Sequence, residues 1–77
     1  IDKNYDMRLL QELKNLRSKI AKSKGLPHFM VFSDLSLINM AQNLPKNKED
    51  FSEINGVGAV KLKKYFKSFT TLIKKFQ

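Results

Sequence analysis

Two stretches of this sequence hold residues that could do chemistry, and in both the chemistry is the capture of a polyanion. The first is Phe51-Ser-Glu-Ile-Asn-Gly-Val-Gly-Ala-Val-Lys-Leu-Lys-Lys-Tyr65, in which a short helix must end, turn and restart within four residues. Gly56 and Gly58 form the hinge, because glycine alone takes positive φ without steric cost. Amides of Gly56, Val57 and Gly58 left unpaired at a helix start would suit a phosphate, with Lys61 alongside, and Lys14 and Lys64 are further candidates for nucleic-acid contact. The same turn is equally a plain α-α hairpin that binds nothing. The second stretch is Leu26-Pro-His-Phe-Met-Val-Phe32, too apolar for a solvated connection. Leu26, Val31 and Phe32 are expected to cover the core, which leaves His28 and Phe29 to face outward. An exposed ring near Arg17, Lys22 and Lys24 is what base stacking needs, since every nucleobase has a π-face. Phe29 could instead be buried, and a lone His28 with no cysteine or second histidine is a weak metal or catalytic signal.

Catalysis has no residues to work with. The chain lacks a Gly-x-x-x-x-Gly-Lys-Ser/Thr phosphate loop, a cluster of acids spaced for metal-assisted hydrolysis, and any nucleophile with a base beside it. It has no cysteine, so neither disulfides nor thiolate metal sites contribute, and Leu, Ile, Phe and Met packing must supply the core. At 77 residues one small domain is expected over 1–77; the start at Ile1 without methionine suggests a piece of a longer protein. No apolar run approaches membrane-spanning length. Fifteen Lys and Arg against seven Asp and Glu give a net charge of +8, which favours polyanions through counterion release. The charge is uneven: six lysines and no acid lie from Lys61 onward, whereas Glu49, Asp50 and Glu53 cluster just before.

The elements that must position these residues are helical. From Tyr5 to Ser23, Leu9, Leu10, Leu13, Leu16 and Ile20 recur at three- and four-residue steps, with Lys14, Arg17, Ser18 and Lys22 facing out. Gly25 stops this helix and Pro27 forbids quick re-entry, so a loop follows. Ser33 caps a second helix, Asp34 to about Asn43, with Leu35, Leu37 or Ile38, Met40 and Ala41 inward. Leu44-Pro45 ends it. Asn47 caps a short third helix whose first turn holds Glu49 and Asp50 and whose inner face holds Phe51 and Ile54. The last helix, from about Gly58 to Phe76, carries Leu62, Phe66, Phe69, Ile73 and Phe76 as its apolar stripe. Lys63, Lys67 and Lys74 then flank one edge and Lys61, Lys64 and Lys75 the other. The fold class is all-α, a bundle of four to five helices around a Gly-Val-Gly turn of helix-hairpin-helix type.

Taken in order, Tyr5-Asp6-Met7-Arg8-Leu9-Leu10, Leu13-x-x-Leu16-Arg17-x-x-Ile20-Ala21, Leu26-Pro27-x-Phe29-x-Val31-Phe32-Ser33-Asp34, Met40-Ala41, Leu44-Pro45 and Ile54-Asn55-Gly56-Val57-Gly58-x-x-Lys61-Leu62 resemble the HRDC domain, the helicase and RNase D C-terminal module. The likeness covers nearly the whole chain and is nearest to the bacterial RecQ version. It implies a five-helix bundle with an auxiliary role: binding single-stranded or branched DNA and tuning which structures an attached ATPase engages. It also implies that the loop aromatic, here Phe29, contributes to DNA contact. Two positions depart from the pattern. Phe29 is often tyrosine in the family, and Phe66 stands where a glycine often splits the last helix, which leaves four or five helices open.

The resemblance implies no cofactor in this fragment, with ATP and Mg²⁺ belonging to a parent helicase. The partners it implies are nucleic acid and the helicase core of the same chain; no membrane is expected, and a solvated basic surface disfavours self-association, so a monomer is expected. The location expected is the bacterial cytoplasm at the nucleoid, or the nucleus in a eukaryote. Two alternatives stand beside this: a protein-interaction or intramolecular docking module, and the HRDC domain of an RNase D-type exoribonuclease. Between the two candidate surfaces, the loop is favoured over the hairpin. Glu49, Asp50 and Glu53 lead into the hairpin, whereas no acid lies between Glu12 and Asp34.

Overall fold

The computed structural model describes residues 5–76 as an all-α bundle; residues 1–4 and 77 of the expected domain lie outside the described residues. Its helices are α1 (Met7–Lys24), α2 (His28–Val31), α3 (Asp34–Asn43), α4 (Lys48–Ser52) and α5 (Ala59–Lys74). Each boundary has a local cause. Asp6 sits in extended backbone and its carboxylate accepts from the Arg8 amide at 2.8 Å, so α1 begins at Met7 rather than at Tyr5. At the other end Gly25 adopts φ +66°, and the Gly25 and Leu26 amides donate to the Lys22 and Ala21 carbonyls, which closes the helix as a Schellman motif. Ser33 accepts from the Ser36 amide and Asn47 from the Asp50 amide, as their residue types and positions predict.

The connection after Gly25 is not the expected loop. Pro27 stands in extended backbone as N-cap, and His28–Val31 make one helical turn. This turn is the fifth helix. The last stretch is undivided across Phe66, where a side chain packed against the core gives the backbone no reason to break.

The core is an aromatic cluster wrapped by aliphatic side chains of α1 and α3. Phe32 is its hub, with edge-on contacts to Phe51, Tyr65 and Phe69 at centroid separations of 6.1, 5.5 and 5.0 Å. Such edge-to-face pairs add to the area term because ring edges are positive and faces negative. Leu9, Leu13, Leu37, Met40 and Ile73 close around it, all fully buried. Two inner faces differ from the periodicity reading. On α3 the buried residues are Ser36, Leu37, Met40 and Ala41, while Leu35 is 59 % exposed. On α5 the centre of the stripe is Tyr65, Phe69 and Ile73, with Leu62, Phe66 and Phe76 half-buried at its edge. The buried centre of the stripe meets Phe32, whose ring touches both Tyr65 and Phe69.

The Gly-Val-Gly hairpin is built as expected at one glycine only. Gly56 takes φ +86°, whereas Gly58 is extended at φ −91° and serves as the N-cap of α5. Ile54 is buried and Val57 half-buried against the core. Side chains of α3 hold the turn: Ser36 Oγ donates to the Asn55 carbonyl at 2.6 Å, and the Asn55 amide donates to Asn39 Oδ1 at 3.0 Å.

Candidate nucleic-acid interface

A four-residue helix with Phe32 just past its end cannot hide both of its faces, and α2 divides its side chains accordingly. Val31 and Phe32 are fully buried, while Phe29 is 66 % and Met30 50 % exposed. Exposed apolar side chains of this size beside one another need a partner or a reason. His28 is exposed as expected and is tied to α1 through Ser18 Oγ, 3.3 Å from Nε2. Leu26, expected in the core, is only partly covered at 37 %. Its amide is fixed by the Schellman turn, which leaves the side chain at the rim.

Arg17 is the main correction. Assigned to the outer face as a nucleic-acid contact, it is only 7 % exposed. Its Nη1 donates to the Phe32 carbonyl at 3.0 Å and lies 2.8 Å from the Asp34 carboxylate. The reason is geometric: α2 returns the chain across α1, and the guanidinium reaches the backbone between α2 and α3. Pairing with Arg17 holds the Asp34 carboxyl below the usual carboxylate range, and the charges of Lys14 and His28 act in the same direction. Arg17 is thereby committed to the protein rather than to a ligand.

The lysines fall into two groups. Lys14, half-buried, and exposed Lys22 lie four residues either side of Ser18 on one face of α1, the face that meets His28. Lys24 Nζ lies 5.8 Å from the Tyr65 ring and Lys61 Nζ 5.6 Å from the Phe32 ring. Since those rings are in contact, the end of α1 and the start of α5 contribute cations to one cluster. Lys64 is exposed next to Tyr65. At the hairpin, the Val57 amide is already spent on the Ile54 carbonyl at 3.1 Å, which removes one of the three donors proposed there for phosphate. Glu49, Asp50 and Glu53 are exposed on the α4 side of the turn. Three features here go beyond the sequence reading: the exposure of Met30, the contact of Ser18 with His28 and the pairing of Asp34 with Arg17. The spacing Lys14-Ser18-Lys22 would have shown Ser18; nothing local marks the reach of Arg17 to a carbonyl fifteen residues on.

A family model of the HRDC domain matches residues 6–73. This chain belongs to the HRDC family. It is 40 % identical over 70 residues to the ATP-dependent DNA helicase RecQ of Haemophilus influenzae, a match covering 91 % of this chain and 11 % of that protein. The RecQ of Pasteurella multocida is 39 % identical over 69 residues, 90 % of this chain and 11 % of that one. The chain thus spans about a tenth of the helicases it matches. Among solved structures, HRDC domain 3 of D. radiodurans RecQ superposes with a TM-score of 0.84 at 25 % identity, covering 88 % of this chain and 90 % of that domain. Both kinds of likeness assign the fold, and the all-α HRDC bundle is the architecture described above. No group of acids and histidines that could hold a metal ion occurs among the described residues, nor is any helix long and apolar enough to cross a membrane.

Proposed function

We propose that this HRDC domain is the accessory nucleic-acid-binding module of a RecQ-type helicase, engaging single-stranded or branched DNA and tuning which substrates the attached ATPase works on. One observation carries the reading: Phe29 and Met30 stand exposed on a turn that begins at His28, a few residues after the exposed Lys22 and Lys24 at the end of α1. A single strand would stack a base on Phe29 while its phosphates meet the α1 and α5 lysines. ATP and Mg²⁺ would be used by the parent chain, outside this domain. The names of the matched proteins favour a helicase parent over an RNase D-type one, and with it a place at the bacterial nucleoid.

The second reading, a docking module for protein or for the helicase core of the same chain, draws on the same apolar pair, since Phe29 and Met30 would serve a protein surface equally well. Titration of a labelled single-stranded oligonucleotide at low and moderate salt separates the two. The nucleic-acid reading expects saturable binding that weakens steeply with salt; no binding at low salt would leave the docking module standing.

A further inference from the structure

The Arg17 linkage ties three elements at the base of α2. Its guanidinium bonds the Phe32 carbonyl, where α2 ends, and the Asp34 carboxylate, where α3 begins, from a position in the middle of α1. α2 has only four residues and no side-chain cap, so its own hydrogen bonds cannot hold it rigid. Phe32 is locked on one side by its ring contacts. The backbone that carries the exposed Phe29 is held by the burial of Val31, by the contact of His28 with Ser18 and, at its far end, by the carbonyl-to-guanidinium bond at Phe32. That bond is in turn oriented by Asp34, whose side chain is 67 % exposed while that of Arg17 is 9 %. Arg17 Nε is buried without a partner, so the guanidinium is kept inside for the two contacts of Nη1 and not for its own solvation.

We infer that Arg17 and Asp34 are positioning residues for nucleic-acid binding: together they set the angle at which α2 presents Phe29, and the acid Asp34 promotes binding of a polyanion by this route. The inference rests on the reading of Phe29 as the stacking contact. It has an unusual sign. Removing an exposed carboxylate from a basic face should tighten DNA binding if charge alone acts. Removing this one should weaken it, because Arg17 loses the group that aims it at the Phe32 carbonyl.

The test is a double-mutant cycle with a fluorescent oligothymidylate, using wild type, Phe29→Ala, Asp34→Ala and the double variant. Affinities are taken per folded molecule from circular dichroism at the titration temperature. Phe29→Ala is expected to weaken binding about fivefold or more, and Asp34→Ala about threefold or more despite its added positive charge. In the Phe29→Ala background, Asp34→Ala should cause no further loss. Should Asp34→Ala bind as tightly as wild type or tighter, or weaken both backgrounds equally, the positioning role is overturned while the site stands. Should Phe29→Ala itself bind like wild type, the site reading fails and the positioning role falls with it.

Discussion

Two glycines with positive φ separate two costs that are usually confounded. A Cβ on Gly25 would meet nothing within 4 Å, so Gly25→Ala carries only the left-handed backbone penalty, about 1–2 kcal/mol. At Gly56 the same Cβ would also lie 2.5 Å from Ser36 Oγ, the hydroxyl that holds the Asn55 carbonyl. Gly56→Ala is therefore expected to cost about 3 kcal/mol or more, as it adds a clash and a disturbed hydrogen bond to the backbone strain. Urea denaturation of both variants checks this, and equal midpoints would contradict it. Asp34 gives a pH signature at the same scale. Its carboxyl, held below 3.8 in the folded state by Arg17, binds its proton more weakly folded than unfolded. Its stabilisation is then complete above the unfolded value and is lost as pH falls through the folded one. The exposed carboxylate limits the effect to a fraction of a kcal/mol. Melting curves should show wild type ahead of Asp34→Asn at pH 6, the gap closing as the pH falls below about 4.

At the scale of elements, α2 is the piece that joins core to surface. Phe32, just past its end, is the hub of the aromatic cluster, so Phe32→Ala should cost about 3–5 kcal/mol, measurable by denaturant titration. Phe29, three residues earlier, should leave the midpoint nearly unchanged when replaced by alanine, because its ring is mostly in solvent. The long helices and their caps were legible in the sequence, since Asp6, Ser33 and Asn47 announce helix starts by chemistry that acts over three residues. α2 was not legible. A single turn after a proline has no period to detect, and it persists through Phe32 and Arg17, whose partners lie far along the chain. The outward placing of Phe29 and His28 was read correctly by elimination among apolar neighbours. Arg17 was misplaced because helical spacing alone treats an arginine as solvent-facing, whereas its long stem can bury the head against a carbonyl and a carboxylate. The stripe of α5 holds at Phe69 and Ile73, but Tyr65 rather than Phe66 is its buried start, because the Tyr65 ring packs against Phe32, a contact that the α5 pattern does not contain.

For the whole molecule the decisive quantity is how the charge of +8 is used. The described acids that stand exposed in α4 and just after it, Glu49, Asp50 and Glu53, are on the hairpin side, while Lys24, Lys61 and Lys64 belong to the α1 end and α5 start around the aromatic cluster and Lys22 to the α1 face that meets His28. If about three to five of these cations meet phosphates of one strand, log K against log salt should slope between roughly −2 and −4. Removing a cation, as in Lys61→Ala, should reduce that slope by about 0.7. Removing an apolar stacking ring should not, because it releases no counterion. The most direct measurement is therefore the salt dependence of oligothymidylate affinity for wild type and Phe29→Ala side by side. Two parallel lines are expected, the variant displaced downward by about 1 kcal/mol or more at every salt concentration. Coincident lines, or a wild-type line without slope, would contradict it.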